Sequence, residues 1–464
     1  MPEQKGKIKI WAKRAAFVLL TGLAAALIYF GLDYMISDDT TSLSRVTIHD
    51  FYEQEPIDIL FIGTSHTLYT LDSNQLTEDL NQSVFDLSVV GPDFVKMYYL
   101  LNEALRTKDI QHVWVEMSIS RLGIEGKNET GTYLITDYIK GLRNKAELIF
   151  NKLDEENYIN AVFRLRRNIT TIPKLSKIRE TVYQKRQDAY TQYLGWEMYR
   201  GRGEWERRVL RFDNTIDDDL VDEIGVSDVR DDEWEYLLRI MDLCREKNVD
   251  LTLYAMPYTD TYLAQYEAYE TLNSMVRKEA DKRSIPFLDM NLVRKEYLQF
   301  DTDEYKDYEH LNLEPGKKVV KFLEDYMRDP DGDWFYGSLS ERFEDGKIYG
   351  VFFDKTFLSD RGAYDRIEYA EGRVTEVSVE MSPISASGES AYIRISDGAY
   401  SEQDGEWTSF CDYDPVRLED SASFFTIPYD ADRQHMYRVS VFRPGTDELL
   451  FETVTTLGLV PEEE

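Results

Sequence analysis

The sequence predicts an α/β protein. It reads as a doubly wound, parallel five-stranded sheet with a helical insert, followed by an all-β sandwich-like domain and preceded by one transmembrane helix. Three observations predict this. Short apolar runs alternate with helical patterns over residues 55–328, residues 329–464 alternate in period two without a long helix, and residues 15–32 carry no charge. Strand alternating with helix gives a parallel sheet covered on both faces, and right-handed crossovers make it doubly wound.

The 464 residues suit two or three domains. A net charge of -33 argues against a nucleic-acid partner, whose phosphates need a basic face. Two cysteines, Cys244 and Cys411, exclude a disulfide-dense scaffold and a Cys-rich zinc site. The five histidines show no pair at ligand spacing, and no phosphate-cradling glycine loop follows a strand, so no metal or cofactor is expected.

Residues 1–14 form a basic tail containing Lys5, Lys7, Lys9, Lys13 and Arg14. The run AAFVLLTGLAAALIYFGL (15–32) nearly matches the roughly 20 residues that a bilayer core requires. Positive charge stays cytoplasmic, so residues 15–35 are expected to anchor the chain in the cell membrane with everything beyond them outside. A cleaved signal peptide is the competing reading, although the run is long for one and lacks a small-x-small cleavage site. Residues 36–54 read as a polar stalk.

Buried parallel strands are expected at IDILFIG (57–63), SVFDLSVVG (83–91), HVWVEMS (112–118), VDLTLYAMP (249–257) and IPFLDMN (285–291). Helical spacing appears after Pro92, over 230–247, over about 262–282 and over 313–327, with Pro315 in a first turn where proline is tolerated. Residues 121–229 interrupt the rhythm as an insert, mostly helical over 137–190. From Arg164 to Arg208 it holds twelve basic and five acidic residues, and the chain then turns acidic over 213–235. Such runs are usually solvated faces; the functional alternative is a lid whose basic face attracts an anionic polymer or lipid headgroup. DPDGDW (329–334) marks the boundary to the β domain. There, Trp334, Trp407 and Tyr413 either stack on sugar rings or pack internally.

Chemistry is expected where the first strand ends, at Gly63-Thr64-Ser65-His66, because open α/β sheets place ligands at the carboxyl ends of their strands. Near the other end of the same domain stands Asp307-Tyr308-Glu309-His310, just before the last helix. An Asp three residues before a His can orient the imidazole, whose other nitrogen then activates a serine hydroxyl. Each piece alone is commonplace, a turn or a cap; their joint placement is the signal. His66 is expected either to touch substrate or to cap the helix, and Glu309 to face solvent.

GTSHTLYTLDS (63–73) and DYEHLNLEPGKKVVKFL (307–323) resemble the SGNH (GDSL-type) hydrolase superfamily, in particular its membrane-anchored DltD-like branch associated with polysaccharide O-acyltransferases. The resemblance covers roughly residues 55–120 and 230–328. It implies Ser65 as nucleophile, His310 as general base and Asp307 as its partner. It also implies an oxyanion hole from the N–H groups of Ser65 and Gly91, and a substrate role for Asn312 in the His-Leu-Asn run. Two positions depart from the pattern: Thr64 replaces an Asp, and Val115-Glu116-Met117-Ser118 stands where Gly-x-Asn-Asp is usual. Ser118 is the substitute oxyanion donor. The expected function is an anchored serine esterase or acyltransferase acting on a cell-envelope polysaccharide or teichoic-acid-like polymer, partnered by a membrane-bound O-acyltransferase. The competing readings are a non-catalytic binding or assembly module for exported polymer, and a lipid hydrolase at the membrane face.

Overall fold

The computed structural model describes residues 2–37, 42–123, 129–169, 175–186, 193–194, 197–206, 224–266, 268–300, 304–307 and 309–344. Beyond these it describes 349–353, 376–383, 391–401, 406–418, 423–428, 435–442 and 449–457. Part of the acidic stretch that begins within the insert, residues 213–223, lies outside the described residues.

The chain opens with α1 (Pro2–Ile36) and α2 (Leu43–Glu53). The central body then follows as β1 (Ile59–Ile62), α3 (Ser65–Thr70), α4 (Ser73–Leu80), β2 (Val84–Asp86), α5 (Phe94–Thr107) and β3 (His112–Glu116). The insert supplies helices α6 (Glu129–Thr136), α7 (Leu142–Lys152), α8 (Glu155–Val162), α9 (Arg164–Ile169) and α10 (Leu175–Gln184). It ends in strands β4 (Tyr193–Leu194), β5 (Glu197–Gly201) and β6 (Glu204–Glu206). The body resumes with α11 (Asp231–Lys247), β7 (Asp250–Ala255), α12 (Asp260–Gln265), α13 (Tyr269–Asp281), β8 (Phe287–Asp289), α14 (Leu313–Arg328) and α15 (Leu339–Glu344).

The five long-range strands form one parallel sheet in the order β2-β1-β3-β7-β8. Side chains alternate across it, as the strand period of two requires. Leu60, Ile62, Phe85, Val113, Val115 and Leu253 enter one core with residues of α5 and α11. Ile59, Phe61, Val84, Trp114, Tyr254 and Leu288 enter the other with residues of α14. This is the expected doubly wound arrangement, and β1 lies between β2 and β3 with its carboxyl end at the switch in strand order.

Three expectations are corrected. The stalk is not a stalk: α2 is a packed helix, with Val46, Thr47, Ile48 and Phe51 buried and Phe51 in the main core. Its apolar residues at i, i+2 and i+5 are too few to read as amphipathic in so polar a stretch. The insert is not only helical, because β4–β6 form an antiparallel sheet with Gly201 and Gly203 in the left-handed region. The α/β body also extends past residue 329. Tyr336 N–H donates to the Leu292 carbonyl at 2.7 Å, and Arg342 pairs with Asp260 at 2.7 Å. Trp334 belongs here too, stacked edge-on against Tyr297 and Phe322.

The insert is fastened to the body by buried charge. Lys152 on α7 lies 2.8 Å from Asp93 and 2.9 Å from Glu233, and Lys96 on α5 lies 2.8 Å from Asp93. At the other end the insert holds the base of α1. Arg164 pairs with Asp33 at 3.2 Å, Asn168 donates to Ser37 Oγ at 2.9 Å, and Lys185 donates to the Tyr34 carbonyl at 3.1 Å. The C-terminal residues are antiparallel: β9 (Tyr349–Phe353), β10 (Glu376–Pro383) and β14 (Ser423–Pro428) form one sheet. β11 (Ala391–Ser401), β12 (Glu406–Asp412), β13 (Val416–Leu418), β15 (His435–Phe442) and β16 (Leu449–Leu457) form another. Trp407 lies across Gly398 on the neighbouring strand, where a Cβ would meet its ring.

Candidate active site

β1 delivers the chain to Gly63 and Thr64, and α3 starts at Ser65. Thr64 caps that helix, its hydroxyl accepting the His66 N–H at 3.2 Å. The turn is pinned by Glu116, the last residue of β3 and fully buried. Its carboxylate accepts from Thr64 N–H at 2.7 Å, from Thr64 Oγ1 at 2.8 Å and from Thr67 Oγ1 at 2.7 Å. Gly63 is required by this approach, since a Cβ there would run into Glu116 Oε2 and Thr67 Oγ1. A buried carboxylate thus fixes the backbone that carries Ser65.

α14 brings the second half of the site. Gly316 in its first turn lets it close against the Thr70 carbonyl at the end of α3. The loop before α14 carries Asp307 and His310. Ser65 Oγ lies 2.8 Å from His310 Nε2, and His310 Nδ1 lies 2.8 Å and 3.0 Å from the two oxygens of Asp307. Asp307 also accepts the backbone N–H groups of His310 at 2.8 Å and Glu309 at 3.1 Å, which fixes its rotamer. With Asp307 ionised, Nδ1 carries the proton and Nε2 presents its lone pair to the serine. Burial is the largest influence on Asp307 and would raise its pKa, but the hydrogen bond to His310, the charges of His310 and Lys306 and the Glu309 N–H together outweigh it and hold it down at about 2. Burial, aided by the nearby charge of His66, lowers the His310 pKa below its ordinary 6.5. Both groups are therefore in the state a general base needs at neutral pH.

His66 is not placed to touch substrate from the surface. It is 1% exposed, beneath the His310 ring at a centroid distance of 4.6 Å. Its Nδ1 lies 3.1 Å from Glu116 and its Nε2 3.2 Å from Glu309, ion-pair contacts rather than well-aligned hydrogen bonds. Burial opposes its charge, but Glu309 and Glu116 prevail and push its pKa up to about 10. In return His66, with Thr67 and Thr64, overcomes the effect of burial on Glu116 and holds it at about 2. Glu309 is consequently not solvent-facing: its side chain is 12% exposed and serves as a counter-charge.

The remaining expected residues are more scattered. Gly91 has the left-handed φ of +62°, on a loop tied to the turn before Ser65 by Val89 N–H donating to the Gly63 carbonyl at 3.2 Å. Ser118 is 1% exposed and its hydroxyl lies 3.4 Å from Ser120 Oγ. Asn312 caps α14 and spends its side-chain amide on the Glu304 carbonyl at 3.0 Å. Among the described residues, no hydrogen bond joins Gly91, Ser118 or Asn312 to Ser65. Sequence reading passed over Glu116, which sits in the block that departs from the family pattern. Its signal was an acidic residue ending a buried strand, a type rarely buried without partners.

His66, Glu309 and His310 bring ligand-type atoms within 4.8 Å of one another. Both His310 nitrogens are engaged, by Ser65 and Asp307, and His66 lies between the Glu116 and Glu309 carboxylates. One wall comes from the insert: Tyr199 and Trp205 of its small sheet pack with Leu68 and Tyr69 of α3, and Tyr69 lies 5.9 Å from the His310 ring.

No family model and no curated protein matches this chain. Among solved structures it is similar to a candidate acylhydrolase from Bacteroides fragilis NCTC 9343, at 9% identity and a TM-score of 0.31, over 63% of this chain and 99% of that one. It is also similar to a GDSL-like lipase from Bacteroides thetaiotaomicron VPI-5482, at 8% identity and a TM-score of 0.28, over 63% of this chain and 100% of that one. At such values the likeness is one of fold and distant, and neither substrate nor chemistry transfers across it.

Proposed function

We propose that this protein is a membrane-anchored serine esterase or acyltransferase of the SGNH type. It would act outside the membrane on acyl esters of a cell-envelope polysaccharide or teichoic-acid-like polymer. The observation that carries the reading is the unbroken hydrogen-bond chain Ser65–His310–Asp307, assembled from opposite ends of the body at the carboxyl end of β1. Ser65 and His310 retain 8% and 12% exposure, enough for an acyl carbonyl to reach the hydroxyl. In the reaction His310 Nε2 takes the Ser65 proton as Oγ attacks the ester carbonyl. The N–H groups of Ser65 and Gly91 receive the developing oxyanion. His310 returns the proton to the departing alcohol, leaving an acyl-serine. It then takes a proton from water, or from a polymer hydroxyl, as that oxygen attacks the acyl carbon; the bond to Ser65 Oγ breaks and His310 returns the proton to Oγ, releasing the acid or the new ester. Asp307 stabilises the imidazolium in both steps.

Anchoring is supported by α1. Lys13–Ile36 is 24 residues long with a mean hydropathy of 2.2 and is not buried by the rest of the chain. Its last turn is bound by Arg164 and Lys185, contacts that a cleaved leader would forfeit. The binding-module reading is favoured by one observation, the lack of a side-chain donor bonded beside Ser65 among the described residues. Incubating the full-length protein with purified O-acylated wall polymer separates the two. The esterase reading requires the ester signals in the polymer's proton NMR spectrum to change with the wild type and stay constant with Ser65→Ala; no change with either leaves the binding module.

A further inference from the structure

The insert carries an apolar corner that the reaction does not use. Ile159 and Val162 lie one turn apart on α8, on the same face, and are 46% and 64% exposed; Phe163 follows at 47%. Single exposed apolar residues are ordinary, but three together at one corner call for an occupant. Their position supplies it. The Phe163 ring meets the Tyr29 ring edge-on at 5.8 Å, and Tyr29 belongs to the apolar helix α1. Tyr29 precedes Asp33 by four residues, about 6 Å along a helix. Phe163 is therefore on the apolar side of the level marked by the Asp33–Arg164 pair. Charge points the same way: between Arg164 and Arg186 stand eight basic residues and one acidic residue, in a chain whose net charge is -33.

We infer that this corner of the insert, Ile159, Val162 and Phe163 with the exposed Arg166 beside it, dips into the outer face of the anionic bilayer that α1 crosses. The inference rests on the anchored reading of α1 and extends it. Apolar side chains enter the boundary between headgroups and acyl chains, and basic side chains meet lipid phosphates above them. The body is thereby held at two points, α1 and the α8–α9 corner, and its orientation to the membrane is fixed.

The test uses the full-length protein in vesicles of phosphatidylcholine and phosphatidylglycerol carrying a nitroxide on the upper acyl chain. Cys411→Ser removes the exposed thiol, while Cys244 is buried. A bimane is attached in turn at Leu27→Cys, Val162→Cys and Tyr297→Cys, all at exposed positions. The expected result is quenching at positions 27 and 162 exceeding that at 297 by about twofold or more. Quenching at 27 with position 162 no better quenched than 297 overturns the inference and leaves the anchor standing. Absence of quenching at 27 overturns the anchored reading, and this inference with it.

Discussion

Replacing His66 by Gln removes the cation that lies between Glu116 and Glu309 and leaves the fully buried Glu116 without its charge partner. The folded pKa of His66 is raised from 6.5 to about 10. Its stabilising contribution is therefore fully present below pH 6.5 and is lost as pH rises through about 10. At pH 7 the raised pKa corresponds to about 4 kcal/mol, at 1.36 kcal/mol per unit. Breaking a buried pair from one side independently costs about 3–5 kcal/mol. The two figures describe the same interaction and are not additive. Urea unfolding of full-length wild type and His66→Gln in detergent micelles reads the difference. The variant should be less stable by about 3–5 kcal/mol at pH 7, and the gap should close to under about 1 kcal/mol at pH 10, where the wild-type imidazole is itself losing its charge. A gap below about 1 kcal/mol at pH 7, or one of equal size at both pH values, refutes a charged, buried His66.

Other consequences are open to simpler assays. As the proposed general base, His310 must be neutral, and its pKa is lowered from 6.5, so ester cleavage should hold its rate as pH falls to 6.5 and decline only below it. An acid limb above pH 6.5 would contradict that burial. Asp307→Asn should leave the fold intact and lower the turnover rate by about 10³–10⁴ through loss of the correct tautomer; less than about tenfold would remove Asp307 from its assigned role. Gly63→Ala drives a methyl into Glu116 and Thr67 and should cost about 1–3 kcal/mol, seen as a lower midpoint in thermal unfolding. An unchanged midpoint would mean that Glu116 does not hold the turn.

Much of the sheet was legible because its strands are short apolar runs between turn residues, and burial on both faces leaves that pattern little freedom. The approach of Ser65, Asp307 and His310 was legible because the strand–helix rhythm places their two segments at one edge of the sheet; their catalytic role is the proposal that the experiments test. What the sequence hid has a physical reason in each case. The burial of α2 depends on a surface made by β2, α5 and the insert, which local pattern does not describe. The β4–β6 strands lie in a basic, glycine-containing run whose polar outer side masks Tyr199 and Trp205. His66 and Glu309 look like surface residues because their burial is tolerated only through mutual neutralisation, a long-range property. Gly91, proposed as an oxyanion donor beside the first N–H of α3, lies on a loop, where position depends on backbone geometry more than on residue type.

The central claim is an activated Ser65, and an alkyl fluorophosphonate tests it most directly. Full-length wild type, Ser65→Ala and His310→Ala are treated alike and the adduct is located by mass spectrometry. The account predicts a phosphonylated peptide containing Ser65 in the wild type and none at that site in either variant. A folded wild-type protein that stays unlabelled at Ser65, or a label that persists there in His310→Ala, would contradict it.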